Sequence, residues 1–354
     1  MTREKIAEMK AAQGFFDEAS YRAVRYHWDT IAKPLDGLGL FENTTALIGG
    51  IQHTDRPSVR KRTLIVFLSD NGIVEEGVSQ SDSSVTHSVA EAMSRNCATV
   101  CMMAGRAGTD VYPVDIGMKG SPVEGISYCR IRNGTRNFRK ESAMTESETL
   151  AAMGHGYRIL KNLAGGGNDA VLLGEMGIGN TSTATAVGCA LLGEDPLELT
   201  GRGAGLSDEK LTHKARVIRD ALSAGRCDCS DPLDVLQNFG GYDIAGMTGA
   251  ILAGADLHVP VILDGLITLS AALLAERLVP GSRRVCIPSH IPTEKMGQRI
   301  LRELELKAPI DAGLALGEGT GAVLLMPLLD VCMELYDRGA RFEDIGVEAY
   351  TRFR

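Results

Sequence analysis

The stretch TLIVFLSDNG, residues 63–72, decides the fold. It begins with a nearly unbroken apolar and β-branched run of strand length, which ends on Asp70 and is followed by Asn71 and Gly72. An apolar run without polar alternation is typical of a strand that is buried on both faces, as in a parallel sheet covered by helices. The stretch therefore predicts a central parallel strand with an acidic residue at its carboxyl end.

Runs of the same kind recur along the chain. Each finishes in a polar or acidic residue that is followed by glycine or by a helical pattern: DVYPVDIG at Asp115, AVLLGEMGIGN at Glu175, VPVILDG at Asp264, RRVCIPSH at Ser289 and His290, and AGLALGEG at Glu318. Helical patterns lie between them, such as SDEKLTHKARVIRDALSAG, with Ser207 as its N-cap and Gly225 after its end. This alternation predicts an α/β fold with a doubly wound, Rossmann-like, mostly parallel sheet.

The two ends of the chain carry a different pattern. Residues 1–60 and 325–354 are typical of helices with charges on one side, whereas the strand-like runs lie within residues 61–324. We therefore expect a large α/β catalytic domain over residues 61–324 and a smaller helical domain that both terminal regions build. The smaller domain is expected to cover one end of the sheet or to take part in subunit contact.

Composition excludes several classes of partner. The chain has 37 basic and 45 acidic residues, a net charge of −8, and no basic run longer than residues 60–62, so it offers no electrostatic footprint for nucleic acid or an anionic membrane. No apolar run reaches membrane-spanning length, and the charged N-terminus lacks the apolar region of a signal peptide. The eight cysteines are scattered without a C-x-x-C pair, which favours core or loop positions over metal ligation. We expect a cytoplasmic protein.

The polar endings predict a ligand cleft, because parallel strands present their carboxyl ends at one edge of the sheet. For any single ending, the alternative is a simple change from buried strand to polar loop. In GEMGIGNTSTATAVGCALLG, residues 174–193, glycines precede a helix start whose free N–H groups favour an anion such as phosphate; a structural glycine turn is the alternative. A second glycine loop, TGRGAGLSD, precedes a helix with Lys214, which either reaches a phosphate or is a solvated surface lysine.

Glu318 is the candidate general base. It stands between Gly317 and Gly319 after an apolar run that contains Leu314 and Leu316. Partial burial at a strand end raises the pKa of a carboxyl group toward the range that suits a general base. A glutamate in a surface turn is the alternative, but the position after an apolar run favours the cleft.

Five motifs, in this order and at these separations, resemble those of the nicotinate-nucleotide:dimethylbenzimidazole phosphoribosyltransferases, the CobT family: GEMGIGNTS, GGYDIAGMTGA, PVILDGL, IPSH and LGEGTGA. The resemblance extends from about residue 33 to about residue 333. It implies a Rossmann-like large domain with a small helical domain. The implied reaction moves the phosphoribosyl group of nicotinate mononucleotide to a base and releases nicotinate, giving the α-ribotide that becomes the lower ligand of a cobamide. No metal and no cofactor are implied.

The resemblance also implies roles for individual residues. Glu318 is implied as the general base, which takes a proton while displacement at the ribose C1′ converts the β to the α configuration. The phosphate and ribose of the nucleotide are implied to lie against Glu175, Gly177, Asn180, Thr181, Ser182, Gly203, Lys214 and Asp264. The pocket for the incoming base is implied to include Ser81, Val89 and Leu316.

Two departures from the family pattern affect the expected base. Asn71 stands where histidine is common, and Val89 stands where many members have glutamine. Both positions are expected to face the incoming base, so phenol or p-cresol suits the pocket as readily as 5,6-dimethylbenzimidazole. The resemblance implies a homodimer, or a heterodimer with a paralogous chain as in relatives that activate phenols. A non-catalytic or partner-dependent subunit is the alternative. A dinucleotide oxidoreductase is disfavoured, because neither glycine loop matches its fingerprint.

Overall fold

The computed structural model describes residues 1–12 and 14–352. Its central sheet consists of β1 (Arg62–Ser69), β2 (Asp110–Gly117), β3 (Ser127–Tyr128), β4 (Ala170–Met176), β5 (Val261–Leu263) and β6 (Cys286–Pro288). The strands run parallel in the order β3-β2-β1-β4-β5-β6. This is the strand order of the Rossmann fold, in which the chain winds outward in both directions from β1 and β4. The predicted doubly wound α/β fold is confirmed.

Helices connect the strands and pack against the sheet. They are α1 (Arg3–Ala12), α2 (Glu18–Thr30), α3 (Leu40–Gln52), α4 (Ser84–Ser94), α5 (Thr99–Arg106), α6 (Glu146–Gly165), α7 (Asn180–Leu192), α8 (Pro196–Leu199), α9 (Asp208–Leu222), α10 (Pro232–Phe239), α11 (Tyr242–Leu257), α12 (Leu266–Leu278), α13 (Lys295–Glu303) and α14 (Thr320–Arg338). The predicted start of α9 is confirmed, because the Ser207 side chain accepts a hydrogen bond from the Lys210 amide. Among the described residues, no helix has the length and apolar character that crossing a membrane requires.

The main hydrophobic core forms between the sheet and the helices packed against it, and β1 is buried along its whole length. One predicted strand is wrong: residues 312–317, which include AGLAL, form an irregular segment without strand pairing. Ile310 makes a single bridge to His290 beyond β6, and the chain then leaves the sheet. Leu316 is 56% exposed because its side chain lies in an open cleft and not in the core.

A second, smaller apolar cluster joins the two terminal regions. It contains Val24 and Trp28 of α2, Ala46 of α3 and Tyr336 near the end of α14. The first half of α14 packs instead into the main core, through residues such as Leu325. The helix therefore spans the predicted boundary between residues 324 and 325, and the division into two domains stays a prediction.

Candidate active site

A cleft of about 410 Å³ opens where β4, β5 and β6 end. This is the edge of the sheet at which Rossmann-like folds bind ligands, and the volume suits a small organic molecule. Most of the predicted site residues line it: Ser81, Val89, Glu175, Gly177, Asn180, Thr181, Gly203, Asp264, Leu316 and Glu318. Ser182 and Lys214 do not reach its surface. The convergence of endings from separate strands follows from the parallel topology.

Glu318 lies on the cleft in a strained turn. It and both neighbouring glycines have positive φ, at 88° for Gly317, 60° for Glu318 and 89° for Gly319. The Glu318 carboxylate accepts a hydrogen bond of 3.1 Å from the Val100 amide, in the first turn of α5. Partial burial raises the pKa of Glu318, and the hydrogen bond from Val100 partly offsets this rise. A carboxylate in this state can accept a proton from a group in the cleft.

Three contacts fix the Glu318 turn. Gly174 of β4 lies directly beneath it, since a Cβ atom at Gly174 would sit 2.4 Å from the Glu318 carbonyl oxygen. Thr320 Oγ1 donates a hydrogen bond of 2.8 Å to the Gly317 carbonyl oxygen. The Asp264 carboxylate, which follows β5, accepts from the Gly319 amide at 3.2 Å and from the Gly321 amide at 2.7 Å. Burial raises the pKa of Asp264 to about 7, although these amide donors oppose the rise.

Glu175 and Asn180 form a buried polar network with Asp243. The Asn180 Nδ2 group donates to Glu175 and, at 3.3 Å, to Asp243 of α11. Burial raises the pKa of Glu175 well above its usual range, and the nearby carboxylates of Asp243 and Asp264 add to the rise. Burial also raises the pKa of Asp243 to about 6. This side of the cleft therefore presents carboxyl groups that hold protons more readily than usual, which suits hydrogen bonding to hydroxyl groups.

The buried Lys214 contacts the first turn of α7. α7 begins at Asn180 after Gly179, as predicted. The interpretation of Lys214 as a solvated surface lysine is wrong: its side chain is 1% exposed, and its Nζ donates to Thr181 Oγ1 at 2.8 Å and to the Gly201 carbonyl at 3.2 Å. Burial lowers the pKa of Lys214 to about 8. A cation beside a helix N-terminus is suited to a phosphate group.

The two remaining phosphate-side residues behave differently. Ser182 is fully buried within α7, and its hydroxyl has no hydrogen-bond partner in the described part of the chain. Arg202 lines a smaller cavity next to the cleft, where it donates to the Leu206 carbonyl at 2.7 Å and to Asp208. Arg202 is therefore already paired within its own loop.

Apolar side chains form the third wall of the cleft. Val85 and Val89 of α4, together with Leu314 and Leu316, line this part of the cleft, and Ser81 adds a polar residue. This wall suits a flat apolar ring with one polar edge. Val89 therefore lines the cleft, and its contact with the incoming base stays a prediction.

Asn71 does not face this wall, so the expectation for it is wrong. It is 1% exposed behind the cleft, where its Oδ1 accepts from Thr183 Oγ1 at 3.1 Å and its Nδ2 contacts the Ile178 carbonyl at 3.4 Å. β1 ends before the turn, and Asn71 points toward the glycine loop that precedes α7. Its side chain supports that loop from behind.

A family model described as phosphoribosyltransferase matches residues 14–347. The chain is 38% identical over 323 residues to the nicotinate-nucleotide–dimethylbenzimidazole phosphoribosyltransferase of Clostridium acetobutylicum, covering 91% of this chain and 92% of that protein.

The chain belongs to this phosphoribosyltransferase family.

Two further comparisons agree. The phosphoribosyltransferase of the same name from Deinococcus radiodurans is 40% identical over 338 residues, covering 93% of this chain and 92% of that protein. The crystal structure of CobT from Thermus thermophilus superposes with a TM-score of 0.87 at 32% identity, covering 93% of this chain and 99% of that one. The protein is therefore a phosphoribosyltransferase, and the family resemblance inferred from its motifs is confirmed.

Three residues in or behind the cleft of this phosphoribosyltransferase had no assigned role at the sequence level. His290 and Glu294 line the cleft, and Asp243 lies behind it in the network with Glu175. The sequence marked His290 as a polar strand ending, and Ser289 Oγ lies 2.9 Å from its Nδ1. Asp243 lies within the motif GGYDIAGMTGA. An acidic residue near a helix start usually stabilises the helix end, so the residue type alone did not indicate a place in the site.

Proposed function

We propose that this phosphoribosyltransferase moves the phosphoribosyl group of nicotinate mononucleotide to a lower-ligand base and releases nicotinate. The product is an α-ribotide for cobamide biosynthesis. The observation that carries the proposal is that Glu318 lines the same cleft as the apolar side chains of Val89 and Leu316 and the glycine loop before α7. A base bound to the apolar wall and a nucleotide bound to the glycine loop would then both lie close to the Glu318 carboxylate.

The proposed chemistry is a displacement at the ribose C1′. The bond from C1′ to the pyridinium nitrogen breaks, and its electron pair leaves with nicotinate. A nitrogen or oxygen lone pair of the incoming base forms the new bond on the opposite face, and the proton that the base loses passes to Glu318. The leaving group already carries a positive charge, so the protein's main tasks are to align two reactants and to accept one proton.

We assign the ends of the nucleotide to the two polar regions of the cleft. The phosphate is placed against Gly177, Thr181 and Gly203, where the buried Lys214 cation supports Thr181 from behind. Ser182 contributes through the start of α7 and not through its side chain. The ribose hydroxyls are placed against Glu175 and Asn180, which line the cleft and are hydrogen-bonded to each other.

The incoming base is placed on the wall that contains Val89 and Leu316, with Ser81 at its polar edge. Both 5,6-dimethylbenzimidazole and a phenolic base such as phenol or p-cresol suit an apolar wall with a single polar group. The test is incubation of the purified chain with nicotinate mononucleotide and each base, followed by mass detection of the α-ribotide. Absence of product with every base, with or without a paralogous chain, would refute the proposal.

We further propose that the enzyme is a dimer in the cytoplasm. α14 carries an exposed apolar stripe on one face: Leu324, Leu328, Val331 and Leu335. Residues at this spacing share one side of a helix, and Val331 is 72% exposed, which supports burial against another subunit. The eight free cysteines support a reducing compartment.

Light scattering tests the assembly and separates it from the alternative of a partner-dependent subunit. A dimer of this chain alone that makes the ribotide supports the homodimer, and replacement of Leu328 and Val331 by glutamate should convert it to a monomer. A monomer that becomes active only with a paralogous chain would instead establish the heterodimer. A dimer that survives both substitutions would place the interface elsewhere.

A further inference from the structure

Asp264 reaches from the end of β5 to the first turn of α14. Its two carboxylate oxygens accept from the Gly319 and Gly321 amides, and the side chain is 3% exposed. The N-cap position of α14 is Gly319, which has no side chain to satisfy the free amides of the first turn. Asp264 therefore supplies, from a different strand, the acceptor that an N-cap side chain usually provides.

We propose that Asp264 is a positioning residue that holds Glu318 in its productive conformation, and that it does so through the backbone of the Glu318 turn and not by binding the ribose. This inference rests on the proposed role of Glu318 as the general base. It differs from the role that the sequence motif implied for Asp264, which was contact with the nucleotide.

The surroundings of Asp264 favour the backbone over a ligand. A Cβ atom at Gly321 would lie 2.8 Å from Asp264 Oδ1 and 2.1 Å from His290 Nδ1, so the α14 backbone is pressed against the carboxylate and the imidazole. Little of the Asp264 surface remains open to the cleft. Both of its carboxylate oxygens accept hydrogen bonds from backbone amides at the start of α14.

The Glu318 turn needs such a support. A glutamate at a φ of 60° occupies a conformation that L residues adopt at a cost, and such conformations persist where their surroundings determine them strongly. The amides on either side of Thr320 are the groups that Asp264 holds. Loss of the acceptor frees the backbone directly after Glu318, so its carboxylate would no longer stay within reach of the incoming base.

The test compares Asp264→Asn and Asp264→Ala with Asp243→Asn as the control. Asp243 is equally buried and accepts from the Ile244 amide at 3.0 Å, but it does not contact the Glu318 turn. Three quantities are measured on each protein: turnover with saturating substrates, the dissociation constant of nicotinate mononucleotide by calorimetry, and amide hydrogen exchange of residues 317–321. Asp264→Asn keeps one acceptor oxygen and should lie between Asp264→Ala and the wild type.

For Asp264→Ala, the expected result is a kcat about 10²-fold lower, because small misplacements of a catalytic group have effects of this size. The dissociation constant of the nucleotide should change by less than about threefold, and amide exchange of residues 317–321 should become at least about tenfold faster. In Asp243→Asn the exchange of this segment should stay unchanged. If Asp264→Ala does not fold, Asp264→Asn carries the same comparison.

Nucleotide binding that weakens more than tenfold, while exchange of residues 317–321 stays at the wild-type rate, would overturn the inference and assign Asp264 to the ribose. Unchanged turnover and unchanged exchange would overturn it as well. If the wild type makes no ribotide at all, the proposed function fails instead. The exchange measurement then still decides whether Asp264 holds the turn.

Discussion

Replacement of Lys214 by methionine should stabilise the protein without ligand at neutral pH. Burial lowers the pKa of Lys214 from its ordinary value of 10.5 to about 8. At about 1.36 kcal/mol per pH unit, burial of the charged form therefore costs about 3 kcal/mol at any pH below 8. Methionine removes this cost but leaves the Gly201 carbonyl oxygen without its donor, a loss of about 1–2 kcal/mol, whereas Thr181 Oγ1 lines the cleft and can bond to water instead. The net gain at pH 7 is about 2 kcal/mol.

The sign of this effect depends on pH. Between pH 8 and 10.5 the unfolded chain binds more protons at Lys214 than the folded chain does, so the wild-type stability gains free energy over this range. The methionine variant has no such gain. Its advantage should shrink above pH 8 and reverse by about 1 kcal/mol near pH 10.5, where only the lost hydrogen bond remains.

Urea unfolding of the wild type and Lys214→Met at pH 7 and pH 10, in buffer without phosphate, measures both values. Lys210→Met is the control, because Lys210 is exposed on the same helix and should give the wild-type pH dependence. Nicotinate mononucleotide at 100 times its dissociation constant should stabilise the wild type by about 2.7 kcal/mol. At the same concentration it should stabilise Lys214→Met far less. Parallel stability curves of the wild type and Lys214→Met across this pH range would refute the reasoning.

Three further outcomes are expected. Glu318→Gln should lower turnover about 10²–10⁴-fold in single-turnover assays, because the general base is lost. The dissociation constant of the nucleotide, measured by calorimetry, should change by less than about threefold. Full turnover would show that Glu318 is not the base. Because burial raises the pKa of Glu318 above 4.5, kcat/KM should fall as pH decreases through a value above 4.5, and a limb at or below 4.5 would contradict this. Leu316→Ala should raise the KM for the incoming base about tenfold, since apolar contact is lost, whereas Leu197→Ala, exposed and outside the cleft, should leave it unchanged.

The sheet and the position of the cleft were predictable because they depend on local patterns. Apolar runs such as residues 63–69 become buried parallel strands, and parallel strands bring their endings to one edge. Glu175 and Asp264 could be placed near each other on these grounds alone, whereas Glu318 reaches the cleft without a strand before it. The start of α7 after its glycines was equally local in origin.

What the sequence did not reveal depends on contacts between distant segments. Lys214 is an ordinary helix lysine in sequence, and it is buried because α9 packs against α7 and the Gly201 loop. Residues 312–316 have the composition of a strand but do not pair with any strand of the sheet. Asn71 was expected in the cleft because it follows a strand, whereas its partner, Thr183, lies 112 positions away in the chain.

The backbone of the Glu318 turn also bears on the history of this chain. A glutamate at positive φ lowers stability by about 1 kcal/mol relative to a conformation it favours, and glycine at the same position would avoid that cost. In a subunit that accepts no proton, replacement of Glu318 by glycine would raise stability and would not impair any function. The presence of glutamate at this position in spite of the cost agrees with a function for its carboxylate.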